Sequence, residues 1–243
     1  IGRAYVKVYR RLRVGIFFSG DELVQPGEPL PPGGIYNSNR FMIRSLLQEL
    51  GCEALDLGSV PDTLEATIEA FESAAASAAD ELRVQLILTT GGMSVGEEDH
   101  IKPAVEAVGS LNVWRVRLKP GKPLAFGEVR GVPFIGCPGN PVAGFVVFLM
   151  MARPYLLRTM GLTDIDVKPM AVRADFDWLK PGDRQEFVRV RRNDEGGLDL
   201  YHTQNSQVLS SCAWADGLVD IPVGGTVRKG DMVSYYPFCQ FFA

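Results

Sequence analysis

The stretch VQLILTTGGMSVGEEDHIKPAVEAV, Val84–Val108, decides how the chain folds. It opens as an apolar, β-branched strand and closes as a helix running to about Val108, with glycines and carboxylates between. A strand that feeds a helix through a glycine turn is one βα step of a mainly parallel sheet. Working outward from it, the same alternation fills the chain from Arg13 to Gly161.

Upstream, RVGIFF (Arg13–Phe18) is apolar enough to be covered on both faces. A loop rich in Pro and Gly, Gly20–Gly34, follows and begins with Asp21 and Glu22. In NSNRFMIRSLLQELG (Asn37–Gly51), Phe41, Ile43, Leu46, Leu47 and Leu50 recur at helical spacing; Asn37 to Asn39 offer caps and Gly51 a stop. CEALDLG (Cys52–Gly58) reads as a second strand. VPDTLEATIEAFESAAASAADEL (Val60–Leu82) reads as a second helix, with Asp62 and Glu65 as a capping box.

Downstream, NVWRVRL (Asn112–Leu118) is a strand, and Lys119–Pro141 holds a loop, a strand, a tight turn and a strand ending at Gly136. NPVAGFVVFLMMARPYLLRTM (Asn140–Met160) starts with Asn140 as cap and Pro141 at the first helical position, where the missing N–H costs nothing. Pro154 and its flanking arginines favour a buried core helix over a membrane span. Past Gly161 the pattern changes to short strands: VKPMAVRADF, QEFVRVRRN, LDLYHT, GLVDIP and DMVSYYPF. The expected architecture is α/β, a three-layer mainly parallel sheet with helices on both faces over residues 13–162. A small all-β barrel or sandwich over 163–243 follows it. Residues 1–12, which begin with Ile1, read as the strand-rich end of a preceding domain, so that the chain is expected to be an N-terminally truncated fragment.

At 243 residues and 46% hydrophobic, the composition is that of a globular protein. A net charge of −4 leaves no dense cationic surface for nucleic acid. The basic run at Arg10, Arg11 and Arg13 reads as a solvated strand entry. The four cysteines, Cys52, Cys137, Cys212 and Cys239, and two histidines, His100 and His202, match no zinc spacing, and the cysteines read as reduced, partly buried thiols. No signal peptide or apolar run of about 18 residues appears, so the cytoplasm is expected, with no membrane and no nucleic-acid partner.

Ligands in open α/β sheets bind beyond the carboxyl ends of the strands. The loops SGDE (Ser19–Glu22), PDT (Pro61–Thr63), TGGMSVGEED (Thr90–Asp99) and CPGNP (Cys137–Pro141) therefore converge on one crevice, with KPGKP (Lys119–Pro123) beside them. Gly91, Gly92 and Gly96 let backbone approach a ligand, and the helix N-termini that follow favour an anion. Glu97, Glu98 and Asp99 would repel a phosphate unless a cation intervenes; Asp62, Asp99 and the Asp21/Glu22 pair are oxygen ligands suited to Mg²⁺. Asp62 and Asp99 are equally placed to act as helix caps. Lys119 and Lys122, held on a Pro-Gly turn, suit an oxyanion; a solvated surface turn is the other reading. The residues alone describe a magnesium-assisted site for an anionic small molecule.

SGDEL, IYNSNR, LGCE, TTGGMSVGEEDHIK, KPGKPLAFG and PGNPVAG, in this order, resemble the molybdopterin molybdenumtransferase family, which completes molybdenum cofactor synthesis. DRQEFVRVR and SQVLSSCAWADGLVDIP carry the resemblance into the second domain. It implies insertion of molybdenum from molybdate into adenylylated molybdopterin, with AMP released and Mg²⁺ present. It further implies that Glu22, Asp62 and Asp99 hold the cation and that Lys119 and Lys122 take the molybdate. Substrate contacts would come from Gly20, Asp21, Ser38, Asn39, Gly91, Gly92, Ser94, Gly96, Pro138, Gly139, Asn140, Pro141 and Ser206. Two positions depart from many relatives: Ala143 where a Ser follows PGNPV, and Ser19 where a Thr precedes GDEL. Family members carry an N-terminal region that pairs with a second subunit, which implies a homodimer for the longer protein. The alternatives are a molybdopterin adenylyltransferase of the same fold, and a scaffold module of the kind gephyrin uses to anchor receptors.

Overall fold

The computed structural model describes residues 2–76, 84–93 and 99–242. In chain order the first half contains β1 (Arg13–Ser19), β2 (Leu23–Val24), β3 (Ile35–Tyr36), α1 (Ser38–Glu49), β4 (Glu53–Val60), α2 (Leu64–Ala76), β5 (Leu86–Thr90), α3 (Ile101–Val108), β6 (Gly109–Arg115), β7 (Leu118–Lys119), β8 (Pro123–Val129) and β9 (Val132–Cys137). One long helix closes this half: α4 (Pro141–Val147), a π turn over Phe148–Ala152, and α5 (Arg153–Thr159). The wide turn accommodates Pro154, which has no N–H to give the preceding turn.

The main sheet has the order β4-β1-β5-β9-β8-β6. β4, β1, β5 and β9 run parallel, whereas β8 is antiparallel to both β9 and β6. Successive residues of β1 face opposite layers. Val14, Ile16 and Phe18 pack under Ile43 and Leu47 of α1 and Val142 and Val146 of α4. Phe17 packs on the other face with Phe71 of α2 and Ile101 and Val105 of α3. Phe71 sits edge-on between Phe17 and Phe134, at ring separations of 5.0 and 4.9 Å, which pins α2 to the sheet. These are the three layers read from the sequence.

The second half contains β10 (Met170–Arg173), β11 (Gln185–Arg192), β12 (Leu198–Leu200), α6 (Ser210–Trp214), β13 (Gly217–Ile221) and β14 (Met232–Pro237). Its sheet has the order β10-β14-β13-β11-β12. A bridge from Ala174, just past β10, to Leu198 of β12 joins the two ends, so the sheet closes as a barrel rather than stacking as a sandwich. The two halves share a core, since Phe187, Leu218 and Phe241 pack with Leu118 and Leu124.

Several local expectations change. Asp62 does not cap α2; the Thr63 hydroxyl does, accepting from the Ala66 N–H at 3.2 Å, because the Asp62 carboxylate is occupied elsewhere. The predicted continuation of α2 beyond Ala76 lies outside the described residues. The strand expected over Asn112–Leu118 begins earlier, at Gly109, and breaks before a two-residue strand, β7, that joins the other sheet. Residues 2–12 form no strand, and Tyr5, Val6, Val8 and Tyr9 are exposed. The helix Pro141–Thr159 is long and apolar enough to cross a membrane by length and composition. Its Val142, Val146, Phe148, Leu149 and Leu156 are buried in the shared core.

Candidate functional site

β1, β4, β5 and β9 end side by side, and their following loops open into a cavity of about 1030 Å³. Close backbone packing builds its floor. Gly91 has φ +96°, and a Cβ there would lie 2.2 Å from the Ser19 carbonyl oxygen, so the ends of β5 and β1 can meet only through glycine. Gly121 does the same for the Lys-Pro-Gly-Lys loop: at φ +122° its Cβ would lie 2.5 Å from Val147 on the long helix.

Of the residues singled out from the sequence, Gly20, Glu22, Ser38, Asn39, Asp62, Gly91, Gly92, Asp99, Lys119, Lys122, Pro138, Gly139, Asn140, Pro141 and Ser206 all line this cavity. Ser94 and Gly96 lie outside the described residues, as do Glu97 and Glu98. Asp21 does not line it. Its carboxylate instead accepts from the Asp62 N–H at 3.1 Å, while its own N–H donates to Asp62 at 3.2 Å. The other Asp62 oxygen accepts from the Ser19 hydroxyl. Asp62 thus clasps the loop after β1 to the loop after β4.

Asn39 ties two more strand ends, those of β5 and β9, to the start of α1. Its side-chain amide, on a residue 8% exposed, donates to the Gly139 carbonyl at 2.7 Å and to the Thr90 hydroxyl at 3.4 Å. Its neighbour Asn37 caps α1 by accepting from the Arg40 N–H at 3.1 Å. Asn37 Nδ2, Asn39 Oδ1 and Asp99 Oδ1 are nevertheless buried polar atoms without a hydrogen-bond partner among the described residues. All three residues line the cavity. Buried polar atoms left unpaired are costly, and these three belong to residues of one cavity lining.

α3 has His100 at its cap position and no side-chain cap bond, so the expected capping role does not fall to Asp99. Burial pushes it up to about 6, against the pull of Arg115, His100 and Lys102. Glu22, Asp62 and Asp99 do not form a ready-made metal cage: among the described residues no three His, Cys, Asp or Glu side chains gather closely enough to hold an ion. Mg²⁺ does not require one, because it takes one or two carboxylates and completes its shell with water and phosphate oxygens. The Asp99 and Glu22 carboxylates both line the cavity, whereas Asp62 is engaged by Ser19 and Asp21.

The start of α4 departs from its expected anion-binding role. Pro141 has no N–H, the Val142 N–H donates to the Ser206 carbonyl at 3.0 Å, and the Gly144 N–H donates back to Asn140 at 2.9 Å. The Ala143 N–H is the first-turn donor left for an anion. The Asn140 side chain makes no cap bond.

The second half supplies a wall. β7 pairs parallel with the start of β11, Leu118 beside Gln185 and Lys119 beside Glu186. The Lys119 ammonium lies 3.1 Å from the Glu186 carboxylate and 5.9 Å from the centre of the Trp178 ring. Lys122 has no ion pair among the described residues, and Arg184 adds a third cation to the lining. Arg184, Tyr36, Gln204 and Gln207 were not singled out from the sequence. The signal for three of them lay in the motifs: Tyr36 within IYNSNR, Arg184 within DRQEFVRVR and Gln207 within SQVLSS.

Comparison with known proteins agrees with this geometry. Residues 15–158 match the family described as "Probable molybdopterin binding domain", and residues 171–238 match the MoeA C-terminal region, domain IV. The molybdopterin molybdenumtransferase of Haemophilus influenzae is 38% identical over 244 residues, covering 98% of this chain and 59% of that protein. The enzyme of the same name from Nostoc sp. is 31% identical, covering 94% of this chain and 48% of its own length. The crystal structure of a molybdopterin biosynthesis MoeA protein from Pyrococcus horikoshii superposes with a TM-score of 0.79 at 26% identity, over 94% of this chain and 55% of that one. The chain therefore spans about half to three-fifths of the length of the relatives it matches. With a strand-end cavity, a two-lysine loop and a closed β barrel behind it, the chain belongs to the molybdopterin-binding domain family, in its MoeA form with the C-terminal domain IV attached.

Proposed function

We propose that this chain carries the substrate site of a molybdopterin molybdenumtransferase, which inserts molybdenum from molybdate into adenylylated molybdopterin and releases AMP. The observation that carries the proposal is the unpaired polar lining of the cavity: Asn37 Nδ2, Asn39 Oδ1 and Asp99 Oδ1, buried without partners among the described residues.

The chain's residues divide the work. Glycine backbone at Gly20, Gly91, Gly92 and Gly139 lets a pyrophosphate lie against the strand ends. Asn39 and Ser38 offer polar contacts at the start of α1, and Ser206 does so from the barrel. Lys122, which has no ion pair among the described residues, supplies an ammonium for tetrahedral molybdate, with Lys119 and Arg184 raising the local positive potential. Mg²⁺, held through Asp99 and Glu22, would neutralise phosphate charge and polarise the phosphoanhydride. Among the described residues no side chain of the lining is arranged as a covalent nucleophile, so positioning and charge stabilisation carry the rate. The proposal extends to a cytoplasmic location and to a homodimer of the longer protein, whose oligomeric state light scattering reads directly.

The test is binding followed by turnover. Calorimetry with adenylylated molybdopterin is expected to show binding, and addition of molybdate with Mg²⁺ is expected to release AMP. Absence of binding overturns the site; binding without AMP release overturns the insertion step for this chain. ATP with unmodified molybdopterin is expected to yield no adenylylated product, and its appearance would move the protein to the adenylyltransferases.

A further inference from the structure

β11 carries a charge where a barrel core normally takes an apolar side chain. Arg189 is 1% exposed, and among the described residues no carboxylate lies within ion-pair distance of it. Burying a guanidinium without a counter-ion is expensive unless its donors are matched. Here they are matched by one turn and one helix. Nη2 donates to the Thr203 and Asn205 carbonyls at 3.3 and 3.1 Å, and Nε donates to the Ser211 hydroxyl at 3.1 Å. The backbone of Arg189 holds the same turn: its N–H donates to Gln204 Oε1 at 2.9 Å, and its carbonyl accepts from Gln204 Nε2 at 3.2 Å.

That turn leads directly to the cavity. Gln204, Ser206 and Gln207 line it, and the Ser206 carbonyl takes the Val142 N–H at the head of the long helix. Nη2 reaches both carbonyls of the turn while Nε, in the same plane, holds Ser211 of α6, so one rigid group fixes the turn against the helix in a way that a flexible ammonium does not.

We propose that Arg189 is a positioning residue, whose buried guanidinium fixes the 203–207 turn so that Gln204, Ser206 and Gln207 form the barrel's wall of the substrate cavity. The geometry stands on the chain alone; the identity of the substrate rests on the transferase reading.

Arg189→Met keeps the stem and removes the donors, and Arg189→Lys keeps the charge and removes the fork. Hydrogen exchange is measured on the folded variants, well below their melting temperatures. Both are expected to lose protection across 203–207 while β13 and β14 stay protected. Native protection of the turn in both variants would overturn the proposal. In the AMP-release assay KM for adenylylated molybdopterin is expected to rise about tenfold with kcat within about twofold, the pattern of lost binding rather than lost chemistry. An unchanged KM with a lower melting temperature would reduce Arg189 to a core stabiliser and overturn its positioning role. Should the wild-type chain release no AMP, the transferase reading falls and the exchange result still decides for Arg189. Should Arg189→Met not fold, Ser211→Ala removes the Nε acceptor together with the hydroxyl's own bond to the Val208 carbonyl; it is expected to loosen the same turn to a smaller degree, and a turn left unloosened would overturn the proposal.

Discussion

The Lys119 ammonium and the Glu186 carboxylate meet at 3.1 Å across the parallel pairing of β7 with β11, with the acid 5% and the lysine 46% exposed at their side chains. One lysine of the loop is thus anchored to the barrel, and the other, Lys122, has no ion pair among the described residues. The two are not equivalent, although they stand on the same Pro-Gly turn.

Glu186→Gln is expected to weaken this anchor. Because Lys119 remains half in water, the loss is about 1 kcal/mol, below that of a fully buried pair. The melting temperature should fall by about 2–4 °C. The half-saturating molybdate concentration should rise as Lys119 drifts, and an unchanged melting curve would show that the pair contributes nothing.

Lys122→Ala should have the opposite profile. With no ion pair among the described residues to lose, the melting temperature is expected to stay within about 1 °C, since surface substitutions away from special contacts change little. The molybdate dependence of AMP release should shift by about tenfold or more, equivalent to about 1.4 kcal/mol of lost anion contact. Equal molybdate dependence in variant and wild type would remove Lys122 from the oxyanion role.

Asp99 makes stability depend on pH. Its folded value of about 6 lies above the ordinary 3.8, so the fold binds this proton more tightly than the unfolded chain does. Its contribution is most favourable below about 4 and is lost as pH rises through 6. Asp99→Asn should therefore raise stability at pH 8 by about 1 kcal/mol, discounted because the group is partly solvated, and change little at pH 4. Mg²⁺ should raise the melting temperature of the wild type at pH 8 and leave Asp99→Asn unmoved. Equal Mg²⁺ responses would exclude Asp99 as its ligand.

Gly91→Ala should damage the fold itself. A methyl group 2.2 Å from the Ser19 carbonyl at φ +96° forces β1 and β5 apart, a cost of about 3 kcal/mol or more. Urea unfolding reads this as a lower midpoint. A wild-type midpoint would mean that the strand ends do not approach as closely as described.

Much of this was legible in the residues. Val14, Ile16 and Phe18 alternate with Gly15 and Phe17 along β1, and the spacing of Ile43, Leu46 and Leu47 gives the buried stripe of α1. Those patterns reflect local periodicity, which a sequence displays directly. The site was legible as a set of strand-end loops, because that placement follows from parallel topology. What escaped depends on contacts distant in sequence. Asp62 reads as a cap until the Ser19 hydroxyl, 43 residues away, reaches it. β7 is two residues long and exists only because β11 lies beside it. Arg189, within VRVRR, resembles its solvated neighbours Arg191 and Arg192 until the 203–207 turn folds over it.

The placement of β7 makes the crevice a joint property of two sheets. Lys119 and Lys122 are encoded between strands of the α/β layer, yet their loop is registered by a barrel strand. A barrel grafted from a relative would therefore carry over the catalytic geometry only if residues 117–123 travelled with β11, as a single transplantable part.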